Sequence, residues 1–256
     1  MSCDGDFSRR SILKGAAAGS MSLLTGAYAL GGDCKMKSDA KLYQANGAFD
    51  PKAAIEAYHR LMESFNYPIS DVLRSDQFWV CDFVQRNFPA LGMGGIFWVN
   101  ESGTYGKAGA GAYEGEFKDQ PFGYLGHDIY LLPGQVLPEH RHVGGPEGYG
   151  PKMESWLVRH GDIQLFGEYQ GTGEEIPISD LPENQRPWGY GEPWFKSKYV
   201  AHRTAKSGKI YSLKDPESWH FMRAGKNGAI VAEFATYHNH VEFSKPGMIF
   251  DNSKQS

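Results

Sequence analysis

This chain is poor in cysteine, in net charge and in long apolar runs. Only Cys3, Cys34 and Cys81 occur in 256 residues. Lysine plus arginine number 26 against 30 acidic residues, a formal net charge of −4. That balance leaves no basic footprint for nucleic acid. The basic residues are scattered, so an anionic membrane surface is not an evident partner either. There is no internal repeat and no long run of one charge. Against these absences stand 14% aromatic and 41% hydrophobic residues, enough for a packed core. Glycine at 32 and proline at 14 favour turns and strands over a helical bundle. The length suits one domain, or one domain with an N-terminal extension.

The N-terminus departs from ordinary globular composition. Arg9-Arg10 precede Ser-Ile-Leu-Lys14, then a short Gly/Ala-rich apolar stretch ends in Ala27-Tyr28-Ala29. This pattern reads as an export signal. The arginine pair resembles the twin-arginine signal, which addresses folded proteins to the twin-arginine translocase. The stretch is short for a membrane span. The alternatives are an amphipathic helix or an uncleaved membrane anchor. Residues 1–29 are therefore expected to be removed on export to the periplasm, or to tether the protein if left uncleaved. Cleavage leaves Cys34 and Cys81, which an oxidising compartment would allow to pair. Cys81 follows Phe78-Trp-Val, an apolar run that also suits a plain buried thiol. Residues 30–49 read as a flexible polar leader, and 251–256 as a tail.

Asp50-Pro51 has the form of a helix cap followed by a first-turn proline. Ile55, Tyr58, Leu61, Met62 and Phe65 follow at helical spacing, which predicts a helix over about 51–65. A short second helix is expected near 69–75. Beyond it the pattern turns to short apolar runs bounded by turn residues: 78–83, 95–100, 122–132, 154–160, 163–169, 209–213, 220–223 and 229–235. Strands without intervening helices predict an all-β sandwich or barrel over 50–250. The stretch 170–198, rich in Pro, Gly and Trp, reads as a packed cover.

Within Gly134-Gln-Val-Leu-Pro-Glu-His140-Arg-His142 the two histidines alternate on a strand and so share a face. Glu154 follows 11 intervening residues after His142, and Gly161 lies beyond it. Two imidazoles and a carboxylate converging on one point suit a divalent metal. This spacing resembles the first signature of the cupin family of small β-barrels, lengthened by the insert at 144–151. Pro216-Glu-Ser-Trp219-His220 resembles the second, with Ser218 in place of the usual glycine. The cupin resemblance implies a double-stranded β-helix, or jelly roll, with an N-terminal helical extension. It also implies His220 as a fourth ligand beside His140, His142 and Glu154. Three imidazoles and one carboxylate suit Mn²⁺ first, with Fe²⁺, Co²⁺, Ni²⁺ or Zn²⁺ as alternatives. Of the other histidines, His59 reads as surface, His127 and His202 as structural, and His160 as preceding a tight Gly-Asp turn. His238 and His240 follow the last clear strand, where one of them is a candidate to line the site.

Several segments are similar to the D-lyxose ketol-isomerase family within the cupins. These are the stretch Gly134–His142, Lys152-Met153-Glu154, Arg159-His-Gly161 and Val231-Ala-Glu233-Phe-Ala-Thr-Tyr. The resemblance implies aldose–ketose isomerisation of a small sugar such as lyxose or mannose through a metal-bound enediolate. It points to Glu233 as general base, with Lys152 as an acid or a holder of a substrate oxygen. Strand alternation puts Glu233 with Val231 and opposite Ile230, but does not say which face looks inward. Lys152 equally suits a rim position with its head in water. Trp219, Tyr190 and Trp188 are candidate platforms for a sugar ring, and core packing is the other use of such residues. The competing readings are an Fe²⁺ cupin oxygenase, whose ligands would look the same, and a non-catalytic sugar-binding cupin. The expected assembly is a homodimer.

Overall fold

The computed structural model describes residues 42–104, 121–145, 149–168, 175–237 and 240–251. The export signal, Cys34 and the tail beyond 251 lie outside the described residues. The helix expected from the sequence is α1, Pro51–Ser64. Asp50 Oδ1 accepts from Ala53 N at 3.1 Å and closes its first turn. Ala54, Ala57, Tyr58, Leu61 and Met62 are buried, an i, i+3, i+4, i+7, i+8 stripe. The second helix shrinks to one 3₁₀ turn, Val72–Arg74. Part of the expected leader is packed rather than loose. Tyr43 bridges Phe49, its hydroxyl accepts from Phe88 N at 2.9 Å, and both rings pack into the cluster under α1.

Ten strands follow among the described residues. They are β1 Trp79–Cys81, β2 Met93–Thr104, β3 Pro121–Leu131, β4 Val136–His142 and β5 Glu154–Gly167. Then come β6 Ile176–Pro177, β7 Tyr199–Lys206, β8 Ile210–Ser212, β9 His220–Ala235 and β10 Val241–Phe243. All named pairings are antiparallel, and the main path runs β1-β2-β3-β9-β5-β7-β6. Among the described residues this path does not close on itself; β4 and β10 join it at β9, and β8 joins it at β5.

β9 organises the sheet. Along one edge it pairs with β5 over its whole length, from Gly167↔His220 to Glu154↔Ala235. Along the other it pairs first with β4, at His140↔His220, and then with β3, at His127↔Glu233. The sequence pattern predicts two short strands at 154–160 and 163–169, and two more at 220–223 and 229–235. Each pair is one long strand with a kink. Gly161 and Gly228 meet at that kink with φ of +73° and +80°. A Cβ on Gly161 would lie 2.1 Å from Gly228 O. Glycine at these points bends the strands without ending them, which is why turn chemistry misread as a break.

Alternation sorts the side chains into two cores. Trp79, Ile129, Trp156, Val158 and Val231 fill the inner one. Phe78, Val80, Ile96, Tyr130 and Ile230 face outward against α1. Glu233 therefore shares the inner face with Val231. The cover is packed where it is described. Ile178 and Leu181 are buried against Phe166 and Phe221, with Tyr190 and Phe195 beside them.

Candidate metal centre and active site

Three strands bring the four expected ligands together. β4 supplies His140 and His142, whose side chains alternate onto one face. β5 begins at Glu154 and β9 at His220. One donor atom from each lies within 4.8 Å of all the others, and all four residues are buried. His140 and His220 are register partners, with ring centroids 4.4 Å apart.

The donor set fits a divalent cation. His140 Nδ1 sits 2.7 Å from Pro138 O, and His220 Nδ1 sits 2.8 Å from Ser218 O. A carbonyl only accepts, so each ring carries its proton on Nδ1 and turns an Nε2 lone pair inward. Glu154 Oε1 lies 2.8 Å from His220 Nε2 and 3.4 Å from His142 Nε2. Among the described residues, neither Glu154 Oε1 nor His220 Nε2 has a hydrogen-bond partner. Lone pairs converging this closely call for a cation between them, and three imidazoles with one carboxylate suit a borderline divalent ion.

The electrostatics run through Lys152. Its Nζ is 2.9 Å from Glu154 Oε2, hydrogen-bonds Glu233 Oε1, and approaches His142 Nε2 at 3.5 Å. Burial alone would pull this ammonium down, but the two carboxylates outweigh it and hold its pKa above the ordinary lysine value. Burial alone would also raise both carboxyls. Lys152 overrides it, with His220 helping at Glu154 and His127 helping at Glu233, and both acids stay below the usual range. Burial, then the neighbouring His220, pushes His140 down to about 3. His140 is thus neutral at physiological pH and ready to ligate.

Two cavities flank the ligands. One, about 430 Å³, is lined by His127, His140, His142, Lys152 and Glu233 at its polar end. Phe83, Phe97, Phe243 and Phe250 wall its apolar end. The other, about 770 Å³, reaches His140, Glu154, His220 and Glu233 from the side of Leu213 and Ser212. Trp219, Tyr190 and Trp188 line neither cavity. Trp219 lies under the Arg141 guanidinium at 4.9 Å, and Tyr190 packs on Phe195. Trp188 is exposed against Trp194.

No family model matches the chain. It is 32% identical over 116 residues to D-lyxose/D-mannose isomerase of Thermosediminibacter oceani, a match spanning 44% of this chain and 56% of that relative. It is 31% identical over 114 residues to D-lyxose ketol-isomerase of Thermofilum sp., with the same coverage. The chain thus spans about half the length of the curated relatives it matches. The structure superposes on L-ribose isomerase of Acinetobacter sp. DL28, solved with L-ribose, with TM-score 0.52 and 16% identity. That match covers 82% of this chain and 95% of the other. L-ribose isomerase of Cellulomonas parahominis gives 0.51 and 18% identity, over 79% and 93%. The chain has the cupin fold.

Two residues of this site escaped the sequence reading. Glu139, on the strand between Pro138 and His140, is buried and accepts from Lys196 N at 2.9 Å and Ser197 N at 2.6 Å. It ties the cover to the ligand strand. Alternation places it on the face away from His140 and His142, and nothing in the sequence announces that the cover comes back over that face. His127, read as structural, stands beside Glu233 with its Nδ1 3.8 Å from Glu233 Oε2. Its signal was present in the alternation of β3, which puts it on the face of Ile129. Of the remaining histidines, His59 contacts Leu73 O at 2.9 Å and His160 stacks on Phe65 on the outer side. His240 is exposed, the side chain of His202 and the whole of His238 lie outside what is described, and His59, His160 and His240 line neither cavity.

Proposed function

We propose that this cupin is a divalent-metal-dependent aldose–ketose isomerase acting on a small sugar of the D-lyxose or D-mannose kind. The observation that carries the reading is the buried Lys152–Glu233 ion pair beside the cluster of four ligand atoms, with His140, His142, Lys152 and Glu233 lining one cavity. The partial sequence likeness to isomerases of those sugars supports it. His140, His142, Glu154 and His220 would hold the ion, which supplies a Lewis acid for the sugar's carbonyl and its neighbouring hydroxyl.

The remaining steps fall to side chains. Isomerisation moves one proton from C2 to C1 and another from O2 to O1. Glu233 takes the C2 proton on Oε2, because Lys152 engages Oε1, and the same carboxyl then returns it to C1. A base must be ionised at the start, and Lys152 ensures that. The same ion pair weakens Glu233 as a base. A sugar oxygen that draws the Lys152 ammonium toward itself restores the basicity where it is needed. Lys152 then gives a proton to O1, on which negative charge grows, and regains one from O2, which completes the second transfer. The inner-core walls shed water and strengthen both interactions.

We extend the proposal to Mn²⁺ as the metal, to a homodimer, and to export through the twin-arginine route by residues 1–29. These extensions rest on the sequence alone.

The test is a panel of pentoses and hexoses incubated with Mn²⁺-loaded protein, with ketose formation and dissolved oxygen followed together. Ketose without oxygen uptake is the expected result. Oxygen uptake without ketose would replace the isomerase reading with an oxygenase.

A further inference from the structure

We propose that His127 is a positioning residue for the base: its Nδ1–H aims at Glu233 Oε2 and fixes the oxygen that receives the carbon proton. The inference rests on the isomerase reading above, in which Glu233 takes that proton.

Four inward-facing residues form one row across four strands. Phe97 on β2 is the register partner of His127 on β3, His127 of Glu233 on β9, and Glu233 of Trp156 on β5. Direct antiparallel partners hold their Cβ atoms about 4.5–5.5 Å apart, so the imidazole and the carboxylate cannot avoid each other. Lys152 engages Glu233 Oε1, which leaves Oε2 to face His127 Nδ1 at 3.8 Å.

The imidazole is clamped. Trp79 stacks on it with centroids 5.4 Å apart and planes 25° apart, and Phe97 stacks at 4.5 Å and 28°. Its Nε2 is buried and has no hydrogen-bond partner among the described residues. That nitrogen abuts Gly95, where a Cβ would lie only 2.6 Å away. A histidine serving only as core filler would bond its buried nitrogens to nearby polar atoms. His127 instead leaves one nitrogen dry and turns the other toward a carboxylate that also lines its cavity. With Nε2 against an apolar wall, the proton belongs on Nδ1, where Oε2 can accept it.

Two substitutions separate positioning from packing in the Mn²⁺-loaded full chain. His127→Phe keeps a ring between Trp79 and Phe97 but removes the donor. His127→Asn removes the ring but carries an amide N–H near the place of Nδ1. Positioning predicts that the Phe variant loses kcat on the order of 100-fold, with KM within about twofold, and that the Asn variant recovers most of that loss. The reverse order, Phe active and Asn inactive, overturns the proposal. A second readout needs no turnover: the ¹⁵N spectrum of the His127 ring in Zn²⁺-loaded protein, with and without Glu233→Ala. A ring protonated on Nδ1 that loses this preference in the variant supports the assignment. Protonation on Nε2, or a spectrum indifferent to Glu233, overturns it. If no aldose turns over in the parent protein, the isomerase reading fails, and the ring spectrum still decides the His127–Glu233 contact.

Discussion

His140 and His220 stand directly opposite each other on β4 and β9, their rings 4.4 Å apart and their Nδ1 atoms each held by a carbonyl two residues upstream. The same local device, a strand-entry carbonyl bonded to the next-but-one histidine, thus prepares two donors 80 residues apart in the chain. Each ligand strand orients its own imidazole before any ion arrives.

Removing one of these donors should empty the site. His140→Ala is expected to lower metal affinity by more than the roughly 10- to 100-fold typical of losing an outer-sphere partner. Metal content after dialysis, measured by mass spectrometry, checks this. Parent-level metal in the variant would refute the ligand assignment.

Glu233→Gln should leave the metal in place, because Glu233 is not among the ligands. Turnover should fall by roughly 100- to 10,000-fold, the usual loss of a general base. Equal rates of ketose formation would remove Glu233 from the chemistry.

Lys152→Met should destabilise the metal-free protein by about 3–5 kcal/mol at pH 7, since two buried carboxylates lose their counter-charge. The pH dependence has a definite sign. Glu154 and Glu233 lie below their ordinary 4.5 in the folded parent. The stability they contribute is complete above that value and is lost as pH falls through the depressed folded values. The gap between parent and variant should therefore narrow as pH falls below 4.5 in urea melts. A gap that widens toward acid would contradict the ion-pair account.

Gly95→Ala should cost about 1–3 kcal/mol by overpacking. The new methyl would meet Trp79 Cζ2 at 2.5 Å and His127 Nε2 at 2.6 Å. Thermal unfolding measures the loss, and an unchanged melting temperature would show that the stack is looser than it is drawn.

Cys81 is expected to resist thiol reagents at pH 8 until the protein unfolds. Burial pushes its thiol up to about 11, so almost no thiolate forms in the native state. Rapid labelling of the native chain would contradict this.

The candidate ligands were legible because their information is local. His140 and His142 share a face by strand alternation, and Glu154 and His220 sit at motif spacings from them. The long strands were not legible as units, because Gly161 and Gly228 carry turn chemistry into the middle of β5 and β9. Only the facing backbone shows that these glycines accommodate a kink. The stretches 199–206 and 241–243 carried no strand signal of their own, and pairing with β5 and β4 made them β7 and β10.

The sequence by itself determined the all-β class, the helix that Asp50 caps, and which side chains could ligate. Those follow from periodicity and from the chemistry of single residues. Tertiary structure alone decided that Glu233 faces inward, that Lys152 bridges two buried carboxylates, and that His127 stands beside Glu233. A period of two assigns residues to faces without saying which face is buried. That choice belongs to whatever packs against the sheet, here α1 on one side and the inner core on the other.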